Sequence, residues 1–294
     1  MKRIFPCICL FFLCAFQTFA QVTPSAESVA ETRKSAEQGD AKAQCNLGLY
    51  YQNGYGVEKN AAEAVKWYRK AAEQGDVPAQ FSLGDCYAFG IGLQRDDIEA
   101  VKWYRKAAEQ GNAVAQHNLG GCYYKGVGVP KDIVEAVKLY RMSAEQGYAP
   151  AQCNLGVCYA NGEGIPKDAV AAYNWFRKGA EKGYAHAEYY LGACYHAGTG
   201  TIKDIALALV WYHKAAAQGN AAAQYQLGFC YGNGDGVEKD DVEGYKWFRL
   251  SANAGFTDGA KCCEIAAKQM TPNQIAEAEQ KAREWKPTKE IFNP

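Results

Sequence analysis

The chain has 294 residues, 48% of them hydrophobic, enough for a large core. Lysine plus arginine, 32, equals aspartate plus glutamate, 32, so the formal net charge is zero. A balanced chain lacks the basic surface that neutralises phosphates, which sets aside a nucleic-acid partner.

The first element is residues 1–20, MKRIFPCICLFFLCAFQTFA. Lys2 and Arg3 open it, an apolar run covers 4–16, and Ala20 closes it on a small residue. That order predicts a secretory signal peptide cut before Gln21. Cys9 and Cys14 lack the small-residue context of a lipoprotein. No later apolar run reaches transmembrane length, so no stable membrane insertion is expected after cleavage. The mature chain should lie in the periplasm, or outside the cell, of a Gram-negative-type bacterium. Of twelve cysteines, Cys7, Cys9 and Cys14 leave with the signal, so nine remain. An oxidising compartment permits disulfides, and an odd number leaves at least one free or joined to another molecule.

Residues 21–39 read as an N-terminal capping helix. A Leu-Gly pair then recurs at 47–48, 83–84, 119–120, 155–156, 191–192 and 227–228, always 36 residues apart. This period predicts six repeats over 40–255, divided as 40–75, 76–111, 112–147, 148–183, 184–219 and 220–255. The first helix of each repeat runs as 41–53 does, with Ala43, Gln44, Leu47, Tyr50 and Gly54 on one face. Gly48 sits mid-helix, where glycine costs stability against alanine. Its recurrence predicts that the backbone there meets a bulky ring of the next helix.

A loop with two glycines follows each first helix, Gly54 and Gly56 in the first copy, Gly234 and Gly236 in the last. The last copy, NGDGVEKDD at 233–241, resembles a ligand loop for a hard cation. However, Asp235 becomes Thr199, Glu163, Val127, Ile91 and Tyr55 in the other copies, and the closing Glu of a calcium loop is missing. The loop therefore reads as a turn.

The second helix starts at Asn60, Asp96, Asp132, Asp168, Asp204 and Asp240, all N-caps. Glu63, Glu99, Glu135 and Glu243 stand three residues on, which predicts capping boxes. Ala64, Trp67, Tyr68, Ala71 and Ala72 form its apolar stripe, and Gly75 and its equivalents end it. Glu63, Lys66, Arg69, Lys70 and Glu73 read as a solvated outer face. One such pair cannot bury its stripe alone, so stacking predicts an all-α, right-handed α-solenoid. Residues 256–270 form a partial repeat, with Cys263-Glu264 in place of Leu-Gly. Thr271-Pro272-Asn273-Gln274 starts a C-terminal capping helix over 271–286, and 287–294 form a tail.

These residues resemble the Sel1-like repeat family, a tetratricopeptide-like group with a longer loop. The signature is A-x-A-Q-x-x-L-G-x-x-Y, then G-x-G-V, then A-x-x-W-Y-x-K-A-A-E-Q-G, nearly whole in 79–111. Leu139 departs from the tryptophan and Thr201 from the loop valine. The resemblance implies a non-catalytic scaffold that holds a protein or peptide partner, in exported members often at the envelope or in host contact. The secreted cysteine-rich Helicobacter members are similar in export and repeat type. They imply an alternative, an envelope enzyme with weak β-lactam-binding or β-lactamase-like activity. Their disulfides bridge the turn between successive helices, where this chain holds Ala36 and Gln44, Ala72 and Gln80, and Ala108 and Gln116, so that ladder is absent.

In a stacked solenoid the outward faces of the first helices line the concave groove. Two residues before the anchor leucine stand Cys45, Phe81, His117, Cys153, Tyr189 and Tyr225. Two after it stand Leu49, Asp85, Gly121, Val157, Ala193 and Phe229, and four to five after it Tyr51, Ala88, Tyr124, Ala160, His196 and Gly232. These places change from repeat to repeat, and many are aromatic, which suits a peptide groove. The candidate lining is Tyr51, Phe81, Asp85, His117, Tyr124, Tyr189, His196, Tyr225 and Phe229. The competing reading packs some of them between adjacent first helices.

No cofactor or catalytic residue is expected. None of the mature serines has a lysine three residues on, as a penicillin-binding serine requires. Cys86, Cys122, Cys158, Cys194 and Cys230, one per repeat, read as small buried thiols. A bond from Cys262 or Cys263 to Cys230 has only weak support. His186 and His196 are ten residues apart on one helix, His213 is on another, and no zinc motif occurs, so no metal site is expected.

Overall fold

The computed structural model describes residues 24–287, so the predicted signal peptide and all but the first residue of the tail lie outside the described residues. These form two compact units that divide after Ser143. The first holds α1 (Ala26–Glu37), α2 (Ala41–Asn53), α3 (Ala61–Glu73), α4 (Val77–Phe89), α5 (Asp97–Glu109), α6 (Ala113–Lys125) and most of α7 (Ile133–Glu145). The second holds α8 (Ala149–Asn161), α9 (Ala169–Ala180), α10 (Ala185–Ala197), α11 (Ile205–Ala217), α12 (Ala221–Asn233), α13 (Asp241–Asn253), α14 (Thr257–Ala267) and α15 (Pro272–Glu284). Among the described residues there is no strand, and no helix is long and apolar enough to cross a membrane. In the first unit α1 to α6 pack each on the next, in the second α8 to α14 do, and α13 carries both α14 and α15. The fold is an all-α solenoid of stacked helix pairs.

The helix ends follow from local chemistry. Asn60, Asp96, Asp132, Asp168, Asp204 and Asp240 each accept a backbone N–H from the first turn they open. Replacing Asp96 with alanine is expected to cost about 1 kcal/mol, read as a lower denaturation midpoint at unchanged slope. The predicted capping boxes do not form at the second helices. Glu63, Glu99, Glu135 and Glu243 turn instead to Lys66, Lys102, Lys138 and Lys246, one helical turn on. The cap N–H groups are already taken: Asn60, Asp96, Asp132 and Asp240 donate theirs to the carbonyls of Tyr51, Tyr87, Tyr123 and Tyr231. The reciprocal box does form at α15, between Thr271 and the neutral Gln274. Gly234 (φ 74°) and Gly236 (φ 77°) turn the chain from α12 to α13, so 233–241 is a turn held by backbone conformation.

Each pair locks by a glycine against a ring. A Cβ on Gly84 would lie 2.7 Å from the Tyr104 ring, on Gly192 2.7 Å from Tyr212, and on Gly228 2.5 Å from Phe248. Only a bare backbone lets these buried rings lie flat on the first helix.

Successive pairs are tied by amides. Gln44 donates through Nε2 to the Ala36 carbonyl, and Gln80 does so to Ala72, Gln116 to Ala108, Gln152 to Ala144 and Gln224 to Ala216. The free oxygen of the buried amide then accepts from a glutamine thirty residues on, Gln74 to Gln44 at 2.7 Å and Gln110 to Gln80 at 2.8 Å. Where that later place holds Lys182 or Ala254, the oxygen of Gln152 or Gln224 is buried without a partner. In the fifth repeat the amide is replaced by Glu188, which is 4% exposed and accepts from Gln218 at 2.8 Å.

All nine described cysteines are free thiols, so the possible bond to Cys230 is not made. Cys86, Cys158, Cys194 and Cys230 are buried and Cys122 half-buried, and Cys263 takes the buried place in α14. Burial pushes the Cys86 and Cys158 thiols up to about 12.

Candidate partner-binding surface

In the first unit the lining side chains rest on the rings that the glycines admit. Phe81 on α4 lies half-buried, 6.1 Å from the Tyr104 ring. Asp85, one turn further along α4, accepts the Tyr104 hydroxyl at 2.6 Å. Burial pushes its carboxyl up to about 6, against the opposing effect of that bond. His117 on α6 lies 5.7 Å from Tyr140, and burial pushes its pKa down to about 4, opposed by its contact with Asn118. The ring is therefore neutral at physiological pH and serves as a flat, weakly polar plate. Tyr124 lies at the far end of α6, with the Lys131 ammonium 5.9 Å from its ring centre.

The second unit repeats the arrangement with larger rings. Tyr189 on α10 sits 6.1 Å from Tyr212 and 5.1 Å from Tyr190. Tyr225 and Phe229 on α12 meet edge to face at 4.9 Å, and both pack on Phe248. Tyr225 also reaches Phe256, 5.0 Å away. Phe229 is the most open member at 37% exposure. His196, at the end of α10, lies 6.1 Å from Tyr212, and its Nε2 is 3.0 Å from an Asp235 oxygen.

Tyr51 departs from this set. It stands four residues after Leu47, in line with Tyr87 and Tyr123, while Gln52 holds the next place and accepts the Tyr68 hydroxyl. Arg33, Arg69 and Arg105 donate to the Tyr51, Tyr87 and Tyr123 hydroxyls, so Tyr51 also braces α1 against α2. Cys153 and Val157, at lining places in α8, are buried, as the competing packing reading expects. Sequence reasoning missed the exposed apolar side chains in the first turns of second helices, Ile98 at 61% and Val134 at 66% in the first unit and Val170 at 58% in the second. Their signal was an apolar residue two places after the cap, outside the stripe.

A 36-residue period with this geometry is shared with known proteins. The Sel1 repeat model matches residues 41–76, 77–112, 113–148, 149–184, 185–220 and 221–256. The chain belongs to the Sel1 repeat family.

Among solved structures, a Sel1 repeat protein from Oxalobacter formigenes is 38% identical, with a TM-score of 0.69, over 77% of this chain and 96% of that one. A protective antigen of uropathogenic Escherichia coli displaying an SLR fold is 34% identical, with a TM-score of 0.61, over 88% of this chain. This chain spans 63% of that protein's length. No functionally curated protein matches. Sel1 repeats are in general protein-interaction scaffolds, typically without enzymatic activity. In this member glutamine rungs occupy the turn, as at Gln44 and Ala36.

Proposed function

We propose that the protein is an exported, non-catalytic scaffold that captures a peptide or protein segment on the lining of its first helices. The observation that carries this reading is the contrast within each repeat. Anchor leucine, glycine and core ring recur, while the side chains laid on that ring change from Phe81 to His117 to Tyr189 to Tyr225. Aromatic plates held half-buried lose little freedom on binding, so they bind at low entropic cost. Such a surface suits an extended segment with apolar side chains.

Leu49 (39%) and Phe229 (37%) are more open than Phe81 and Tyr225, so they are the probes, although Phe229 also meets the core ring of Phe248 edge-on. Affinity capture from envelope extract should recover one dominant protein, and Leu49→Ser with Phe229→Ser should cut its yield about tenfold, as loss of 1–2 kcal/mol implies. The variant should still unfold cooperatively, with a loss of no more than about 3 kcal/mol because Phe229 gives up its contact with Phe248. Equal capture by parent and variant would count against the reading. Export is tested separately, by finding Gln21 at the amino terminus of the mature chain.

A further inference from the structure

Sequence spacing separates His196 from Asp235 and gives neither a metal partner. The structure brings them together. His196 sits at the end of α10, Cys230 in the last turn of α12, and Asp235 in the glycine loop that follows. Asp235 donates its backbone N–H to the Cys230 carbonyl at 2.9 Å, which fixes thiol and carboxylate on one side of the turn. The His196, Cys230 and Asp235 ligand atoms all lie within 4.8 Å of one another, and no other such trio occurs among the described residues.

We propose that His196, Cys230 and Asp235 bind a zinc-class divalent cation, with a water in the fourth position. Imidazole nitrogen, thiolate sulfur and carboxylate oxygen are the donor types of tetrahedral zinc. Zinc bond lengths place ligand atoms about 3.3–3.8 Å apart, so small side-chain rotations close the site. The Nδ1 atom of His196 is buried without a hydrogen-bond partner, which leaves the imidazole free in its tautomer. The C-terminal ends of α10 and α12, whose carbonyls carry partial negative charge, also converge here. The repeat does not demand the trio. His196 replaces Ala88 and Ala160 of other repeats, and Asp235 replaces Ile91 and Thr199, while the cysteine recurs. On binding, the thiol proton passes to solvent and a sulfur–metal bond forms, with no change in oxidation state.

Cobalt(II) titration of the full chain under a non-thiol reductant tests the site. The expected result is a thiolate-to-cobalt charge-transfer band with tetrahedral visible absorption, both erased by zinc. His196→Ala and Asp235→Thr install residues that equivalent places already carry, so the fold should stand. Each should weaken cobalt affinity by more than about a hundredfold, beyond the ten- to hundredfold that loss of a supporting contact costs. Cys230→Ser should abolish the charge-transfer band, and Cys194→Ser should keep it. No band in the parent, a band that survives Cys230→Ser, or an affinity indifferent to both His196→Ala and Asp235→Thr would overturn the assignment. If Cys230→Ser does not fold, the two affinity variants decide.

Discussion

Alanine at Gly120 is expected to destabilise the protein by about 1–3 kcal/mol, while alanine at Gly121, the next residue, should stabilise it by about 0.5–1 kcal/mol. Both glycines lie within α6, where alanine is the better helix former. They differ in what a methyl group meets. On Gly120 it would lie 2.9 Å from two ring carbons of Tyr140 and 3.3 Å from the Ala136 carbonyl. Tyr140 is fully buried and cannot step aside without moving α7. On Gly121 the nearest atom is the Tyr140 hydroxyl at 3.9 Å, an ordinary contact. Propensity favours both changes equally, so the difference between them measures the helix–ring lock alone. Thermal melting of the two variants reads it, at about 2–4 °C per kcal/mol for a chain of this size. Equal shifts would mean that Gly120 is not the point of closest approach.

Glutamine at Glu188 is expected to raise stability at about pH 8 by about 1–3 kcal/mol and to change it little near pH 4.5. Burial lifts this carboxyl from 4.5 to about 7, while Lys214 and the amide of Gln218 oppose the rise without cancelling it. The folded state therefore holds its proton more tightly than the unfolded chain does. That stabilisation is complete below about pH 4.5 and is lost as pH rises through about 7. The protonated acid can donate as Gln152 and Gln224 donate to the carbonyls eight residues back; the carboxylate cannot. Glutamine keeps the donor at every pH. The gain is trimmed because the carboxyl is not wholly shut from solvent. Denaturation midpoints of parent and variant between about pH 4.5 and 8 should diverge upward with pH. Parallel curves would show that Glu188 titrates normally.

The period, caps and glycine anchors were legible because each serves a local need that repeats. Leu47 and Gly48 recur since every pair must close on a ring, and Asp96 and Asp240 recur since every second helix must start. Other features depend on what lies beside a residue after stacking. Glu99 fits a capping-box pattern, yet the Asp96 N–H it would accept is already given to the Tyr87 carbonyl. Tyr51 gives no sign in the sequence of the Arg33 hydrogen bond that ties it to α1. The glutamine rungs join residues thirty apart, and the meeting of His196 with Asp235 needs the loop of one repeat to lie against the helix end of the one before. Periodicity predicts that such neighbours exist but does not say which side chains they bring.

The nine thiols carry one last consequence. Eight of them are kept as S–H within the helical stack, as is Cys230 until a cation binds, and burial leaves little of the reactive thiolate at neutral pH. Assembly thus requires no oxidant, no isomerase and no sorting among rival crosslinks. The same molecule should form in a reducing cytosol or an oxidising exterior, and crossing between them should leave its architecture unchanged.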